Sequence, residues 1–330
     1  MPPLHPPAPA SSPLVVFGKV PWMGDFMRLG SPGRAGEALE QWVEQGLGRA
    51  ESRFGASWSS AYARGSTHAF VFRAPRGAGP RETLAGVILP STDAVGRSFP
   101  LLAYAPVPLV RPEFQWPHVL PMALGDFFDA AAAILHDAAR FSEQAELIEA
   151  LAPLRPPQVD HADIDARDYD TWTSSALLTQ ALSVVYGEAR DVLAPRAVHV
   201  IKEAVAPFRG EAAPATTLGL RLPLGSGGVA AAAFWIDVVR RLAGAPNEIR
   251  TSFWSFDGAH GSVIVQLGET PASTLAELWA PDTDSETMCD LTEASNVDVG
   301  RLLSGLPPPL AGALQSTNTL VRDFLDQLAH

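Results

Sequence analysis

The chain has 330 residues, of which 47% are hydrophobic and 18% charged, a composition typical of a globular protein with a sizeable core. Its net charge of −12 argues against partners such as nucleic acid or anionic membranes, because both attract a basic face. The single cysteine, Cys289, excludes an internal disulfide and a multi-cysteine zinc site. Residues 1–13 lack the basic start and apolar centre of a secretory signal, and no apolar run approaches the ~20 residues of a membrane span. A cytoplasmic protein is therefore predicted.

The first third of the chain is predicted to hold strands around one helix. A disordered, proline-rich arm at 1–13 precedes a buried strand at 14–20. A loop at 24–33 leads into a helix at 34–54, where apolar residues recur at helical spacing. Three strands separated by short turns, which favour antiparallel neighbours, follow at 67–74, 83–89 and 99–107.

The middle of the chain is predicted to be helical, and the last third mixes strands with helices. The spacing predicts helices in the middle at 119–139, 144–151, 174–186 and 195–205. Further on it predicts a strand at 216–224, a helix at 229–242, a hairpin of strands at 250–256 and 262–267, and helices from Ser273, from Asp284 and over 310–328.

These elements predict the fold class and the domain organisation. Strands in both terminal parts with helices between them indicate a layered α/β sandwich with a mainly antiparallel or mixed sheet and a helical middle segment. We predict a single domain over 14–330. It comprises an N-terminal lobe at 14–110, a helical middle at 118–210 and a C-terminal lobe at 215–330.

A polar turn between two predicted strands places an acid and a base four residues apart. Asp93 is expected to cap the turn and to pair with Arg97, while Gly96 supplies a positive φ. An exposed pair of this kind contributes only ~0–1 kcal/mol. The residues alone favour this structural interpretation over a partner-binding loop.

The segment Gly18–Phe26, GKVPWMGDF, follows the first predicted strand. A phosphate-binding loop requires a lysine at the helix start, followed by Ser or Thr, whereas Lys19 precedes this loop. The simplest interpretation is an exposed Lys19, a turn at Gly24 and a Phe26 tucked into the core. Trp22 and Met23 lie at the predicted loop tip, either as core residues or as an exposed interaction knob.

No segment carries a recognisable catalytic, cofactor or metal motif. Gly225–Gly228 joins a strand to a helix and could hold an anion, but a tight turn is favoured. The acidic run over 160–170 lacks the glycine and the terminal acid of a calcium loop, so a solvated linker is favoured. Cys289 has no neighbouring cation in the sequence to activate its thiol. We predict a protein that is not an enzyme and needs no cofactor.

One ordered set of motifs resembles a known family. The order is G-K-x-P, G-D-F, a helical Trp, W-x-x-x-Y, an aromatic strand, and G-V-x-x-P-S-x-D-x-V-G-R-x-F-P-L. Across residues 17–103 this pattern resembles the TagF/ImpM proteins of bacterial type VI secretion. The matching residues are Gly18, Lys19, Pro21, Gly24, Asp25, Phe26, Trp42, Trp58, Tyr62, Phe70, Gly86, Val87, Pro90, Ser91, Asp93, Val95, Gly96, Arg97, Phe99, Pro100 and Leu101.

The resemblance is looser elsewhere. Ser252-Phe253-Trp254 looks like the family's later S-L-W-W strand, from which Phe253 and Ser255 depart. The gap between the two matching parts is longer than usual. Trp22 and Met23 stand where the family often has small or basic residues, a difference that bears on partner choice.

The resemblance implies an α/β sandwich and a cytoplasmic accessory protein of type VI secretion. Family members act as post-translational regulators, often repressors, through a forkhead-associated scaffold protein. Some are fused to a protein phosphatase domain, which this sequence does not show. A stable structural subunit, a nucleotide-binding module and an enzyme remain as alternatives.

The preferred hypothesis is a non-enzymatic regulator that binds a protein partner through two loops lying close together. The predicted partner-binding residues are Lys19, Pro21, Trp22, Gly24, Asp25, Phe26, Ser91, Asp93, Gly96 and Arg97.

Overall fold

The strands that the structure describes form one nine-stranded sheet, with the order β2-β1-β5-β4-β3-β7-β8-β6-β9. The structure is a computed structural model that describes residues 14–75, 83–107, 117–155, 166–209, 216–244, 249–281, 285–292 and 298–328. The strands are β1 (Val15–Gly18), β2 (Met27–Leu29), β3 (His68–Arg73), β4 (Thr83–Leu89), β5 (Leu101–Val107), β6 (Leu218–Pro223), β7 (Ile249–Ser255), β8 (Ser262–Leu267) and β9 (Met288–Asp290). The predicted arm at 1–13 and residues 156–165 of the predicted linker lie outside the described residues.

Helices cover both faces of this sheet. In the first half of the chain they are α1 (Gly33–Phe54), α2 (Ala56–Ala63), α3 (Leu120–Ala123), α4 (Gly125–Asp137), α5 (Gln144–Leu151) and α6 (Arg167–Ser175). In the second half they are α7 (Leu178–Tyr186), α8 (Arg190–Ala204), α9 (Gly228–Ala243), α10 (Thr274–Trp279), α11 (Val299–Ser304), α12 (Pro308–Gln315) and α13 (Val321–Gln327). This architecture confirms the predicted layered α/β fold class.

Alternating side chains along each strand divide the core into two layers. Val87 and Ala103 point to the face covered by α4 and α9, whereas Ile88 and Leu102 point to the face covered by α1 and α10. Strands buried on both faces explain why the sequence shows continuous apolar runs there.

Antiparallel pairing of β3 with β7 places the strands of the predicted N-terminal and C-terminal lobes in one sheet. The other described pairs are also antiparallel except β6 with β9, which is parallel. As a consequence, the chain leaves β1, β4, β7, β6 and β9 at the same end of the sheet. The segments that follow β1 and β4 therefore lie at one end, while the single-domain organisation itself remains a prediction.

Several predicted boundaries are correct and several are wrong. The strands at 83–89 and 262–267 and the helix at 144–151 match the structure. The predicted loop at 24–33 contains β2, whose three residues are too few to show a period. Met288–Asp290 is a strand rather than part of a helix from Asp284, because it pairs with β6.

A contact between distant segments interrupts two of the predicted helices. Leu177 and Leu320 form an isolated antiparallel bridge, and the amide of Val321 donates to the carbonyl of Ala176. Ala176 is accordingly extended, with φ −78° and ψ 135°. The predicted helix at 174–186 therefore divides between α6 and α7, and that at 310–328 divides into α12 and α13. Periodicity along one segment carries no information about such a bridge.

Candidate interaction surface

Two loops at the shared end of the sheet are joined by side-chain and backbone contacts. The 18–26 loop follows β1, and the 90–100 loop connects β4 to β5. Lys19 Nζ lies 3.0 Å from Asp93 Oδ2, and Arg97 Nη2 donates to the carbonyl of Gly24 at 2.6 Å. Ser91 Oγ donates to the carbonyl of Lys19 at 2.7 Å. The predicted proximity of the two loops is thus confirmed, and each loop supplies partners that the other needs.

Asp93 is the centre of this arrangement, and we call Lys19, Asp93 and Arg97 the loop lock. The Asp93 carboxylate accepts hydrogen bonds from the amides of Val95 and Arg97 and from the Arg97 Nε. Burial alone would raise the pKa of Asp93, but these hydrogen bonds and Lys19 hold that pKa well below its usual range. A carboxylate with so many donors is a fixed structural anion and a poor general base.

The predicted surroundings of Lys19 and Phe26 are reversed in the structure. Lys19 is buried rather than exposed, because its ammonium group meets the buried Asp93. Phe26 is 43% exposed rather than tucked into the core. Its ring stacks on Phe17 and meets Phe99 edge-on, with centroids 5.6 Å and 4.8 Å apart, so these contacts hold the ring in place while part of it stays exposed.

Trp22 connects the 18–26 loop to the helical middle. Its indole Nε1 donates to the carbonyl of Ala138, which directly follows α4, at 2.9 Å. The ring is half-buried, as is Met23, whose carbonyl accepts the amide of Ala94. Neither residue is a free knob, and both fix the loop against its neighbours.

The tip of the 90–100 loop projects into solvent. Val95 is 72% exposed and the side chain of Arg97 is 62% exposed. Gly96 has φ +85°, which confirms the predicted positive φ and lets the chain reverse within the turn. Asp25 is exposed on the adjoining loop, where its carboxylate accepts the amide of Phe26. The loop lock therefore holds the apolar Val95 and the cationic Arg97 toward solvent.

A cavity of about 340 Å³ opens beside the lock, between the two helical layers. Its walls come from five segments: Pro21 of the 18–26 loop, the end of α2 with the connection to β3 (62–67), the end of β4 with the start of the 90–100 loop (89–92), the end of that loop with the start of β5 (98–101), and the end of α4 with the segment after it (135–139). Tyr62 fixes one wall, because its hydroxyl donates to the carbonyl of Ser91 and accepts the amide of the same residue. Thr67 Oγ1 and His136 Nε2 are 2.9 Å apart on another wall. Pro21 and Ser91 also line the cavity.

The other segments with possible chemistry have structural explanations where the structure describes them. The amides of Ser226 and Gly227 donate to the carbonyls of Val184 and Leu224, so those donors of the glycine-rich turn are already used. The half-buried thiol of Cys289 has a raised pKa because of burial, which disfavours the reactive thiolate. Among the described residues, no helix combines the length and the apolar character that a membrane span requires.

Sequence reasoning missed a second buried carboxylate, Asp237 in α9. Its oxygens meet Arg240 and Arg241 and accept the hydroxyl of Tyr169 at 3.0 Å. Despite burial, which would raise it, the pKa of Asp237 is lowered by His118 and the two arginines. The i, i+3 and i+4 spacing of Asp237 to the arginines was the available signal.

Comparison with known proteins finds a family model that matches part of the chain. Residues 15–154 match the model of the TagF N-terminal domain, described as type VI secretion system-associated. A crystal structure of PA0076 from Pseudomonas aeruginosa PAO1 aligns with 83% of this chain and 96% of that chain, at 20% identity and a TM-score of 0.48. No curated protein matches the chain.

The matched domain contains β1 to β5 with the 18–26 and 90–100 loops, and it supports a type VI secretion-associated accessory protein. Over residues 15–154 the match supports the TagF/ImpM assignment that the motifs predict.

Proposed function

We propose that this protein is a non-enzymatic cytoplasmic regulator that represses type VI secretion after translation by binding a protein of the apparatus. The surface we assign consists of Phe26, Val95 and Arg97, held outward by the loop lock. The forkhead-associated scaffold protein implied by the family resemblance is the first partner to test.

The contacts of the Asp93 carboxylate are the observation that supports this proposal best. Its carboxylate is paired with Lys19 and Arg97 and accepts hydrogen bonds from two backbone amides. The most polar residues of the family motif therefore hold the two loops together. A reactive site would leave its carboxylate poised to exchange a proton. A braced loop pair with exposed apolar and cationic tips is instead suited to protein recognition.

The proposal predicts separate behaviour for two exposed aliphatic residues. Val95→Asp places a charge on the assigned surface, whereas Ile148→Asp makes the same change on α5, where Ile148 is 49% exposed. We expect Val95→Asp to abolish co-purification with the scaffold protein and to raise secretion of type VI substrates into the medium. Ile148→Asp should do neither, and both variants should unfold at the wild-type denaturant concentration.

The proposal would be contradicted if Val95→Asp bound the scaffold and repressed secretion like the wild type. Co-purification at a fixed stoichiometry that persists during active secretion would favour the alternative of a stable structural subunit. A rise in melting temperature with nucleotides would instead favour a nucleotide-binding module, because ligand binding stabilises the native state.

A further inference from the structure

The cavity beside the loop lock has the features of a binding pocket for one side chain of a partner. Its volume of about 340 Å³ is in the range of small ligand sites. The apolar part of its wall includes Leu89, Leu101 and Leu135, and the polar part consists largely of hydroxyl groups. Apart from Tyr62, His136 is the only titratable residue among the described residues that line the pocket, and it is already in contact with Thr67.

The walls of this pocket are preformed. Tyr62 clamps the carbonyl and the amide of Ser91, Trp22 anchors the 18–26 loop to the carbonyl of Ala138, and Ser91 Oγ holds the carbonyl of Lys19. A site built in advance binds with a smaller entropy cost than one that must be ordered on binding. The pocket is also where both family loops meet the helical middle, so an occupant would contact both regions.

The charges in and around the pocket determine which kind of partner side chain it can bind. Among the residues that the structure describes, no acidic or permanently charged side chain lines the pocket, so a charged group placed inside would lose hydration without gaining a counter-ion from them. Arg97 lies outside the pocket beside the lining residue Ser98, and Arg64 lies between the lining residues Ala63 and Gly65; both arginines are exposed. Arg97 uses Nε and Nη2 for Asp93 and Gly24, and no contact among the described residues uses its Nη1. The 18–26 loop also carries an acidic residue, Asp25, which directly follows the Gly24 whose carbonyl Arg97 contacts.

We propose that this pocket receives an apolar side chain of an extended partner segment, and that an acidic residue next to it in the segment pairs with Arg97. This inference rests on the proposed function and names the chemistry of the partner. On a chain with a net charge of −12, two exposed arginines beside an uncharged pocket give local complementarity to an acidic segment.

Synthetic ten-residue peptides labelled with fluorescein test this proposal on the purified full chain. Four sets would carry a central Leu or Phe flanked by acidic residues, the same residue flanked by basic residues, the same residue flanked by Ser and Gln, and acidic residues without an apolar centre. We expect the acidic set with an apolar centre to bind most tightly by fluorescence polarisation.

Matched variants assign the binding to the pocket and to Arg97. Ala139 lines the pocket and is exposed, whereas Ala133 is exposed on α4 but does not line it. Ala139→Trp should weaken binding of the best peptide about tenfold or more, as expected for losing the burial of one apolar side chain, while Ala133→Trp leaves it unchanged. Arg97→Glu should shift the preference towards the basic set, whereas Arg322→Glu on α13 should not.

Equal binding of all four sets, or Ala139→Trp binding like Ala133→Trp, would overturn the pocket proposal. Those outcomes leave the proposed function standing if Val95→Asp still releases secretion. Conversely, wild-type secretion by Val95→Asp would contradict the proposed function whatever the peptides show.

Discussion

The loop lock and the Asp237 cluster use the same chemistry for different ends. In each, a buried carboxylate is held between two cations: Asp93 by Lys19 and Arg97, and Asp237 by Arg240 and Arg241. The two clusters differ in how exposed their arginine side chains are. Arg97 is mostly exposed and its pairing fixes two loops, whereas Arg240 and Arg241 are largely covered by protein.

The Asp237 cluster connects helices that are distant in the sequence. Asp237 in α9 meets Tyr169 of α6, and Arg241 reaches the carbonyl of Leu325 and the carboxylate of Asp326 in α13. His118 stacks edge-on against Tyr169. A buried carboxylate is therefore not by itself a sign of function. The exposure of its partner cation distinguishes a surface-presenting cluster from one that only stabilises the fold.

The largest expected effect on stability is that of Asp237→Ala. Removing the carboxylate leaves Arg240 and Arg241 without their shared counter-ion in a largely buried place, which costs about 3–5 kcal/mol. The free energy of unfolding from urea titration measures this loss. Asp326→Ala removes an exposed partner of Arg241 and should cost no more than ~1 kcal/mol. Equal losses for the two variants would contradict the central place of Asp237.

Asp93→Asn should also destabilise the protein, because the buried Lys19 loses its counter-ion. The loss should be smaller than for Asp237→Ala, because Asn keeps a weaker, neutral acceptor oxygen and the exposed Arg97 can turn to solvent. Since the pKa of Asp93 is lowered in the folded state, its contribution is present at neutral pH and is lost as the pH falls below the ordinary carboxyl range. Amide hydrogen exchange should accelerate at Val95 and Arg97, whose amides the carboxylate accepts. Unchanged exchange there would show that the lock does not hold the turn.

The two clusters should differ in their dependence on pH. Burial lowers the pKa of His118 from 6.5 to about 4, against the opposing effect of Asp237 and with the help of Arg240 and Arg241. The unfolded chain therefore takes up a proton first, and stability is lost as the pH falls from about 6.5 to about 4. One such group contributes a slope of up to about 1.4 kcal/mol per pH unit.

His118→Phe should make the slope of unfolding free energy against pH shallower between pH 4.5 and 6.5. Some slope should remain, because burial also lowers the pKa of His68 to about 4. Replacing the exposed His260 by Gln serves as the control and should leave the slope as it is. A His118→Phe slope equal to the wild type would show that His118 is not held neutral.

Within the loop lock, the smallest expected effect on stability is that of Arg97→Gln. The side chain of Arg97 is 62% exposed, so the loss should be about 0–1 kcal/mol in urea unfolding. The same variant should nevertheless lose most of its capture of the type VI partner, because Arg97 belongs to the assigned surface. A variant that is strongly destabilised, or that captures the partner normally, would remove Arg97 from that surface.

Local sequence patterns predicted much of this fold, and tertiary contacts account for most of what they missed. Strands such as Thr83–Leu89 were predicted correctly because their apolar runs are bounded by turns. The short strands β2 and β9 were missed because each is defined by its neighbour in the sheet rather than by its own three residues. The bridge between Leu177 and Leu320 divided two predicted helices for the same reason.

The candidate site shows the same limit. The pairing of Asp93 with Arg97 and the positive φ of Gly96 follow from the turn itself. The burial of Lys19 does not, because it depends on a carboxylate 74 positions later in the chain. The pocket could not be predicted either, since its walls come from five separate segments that meet only in the folded sheet.

Site-specific photo-cross-linking tests the central claim, that the loop lock presents a surface to the secretion apparatus. A benzophenone amino acid would replace Val95 in one strain and Ile148 in another, both exposed aliphatic positions. The account predicts that irradiation of living cells links position 95, and not position 148, to a component of the type VI apparatus. A cross-link to the apparatus from position 148 alone, or from neither position, would contradict it.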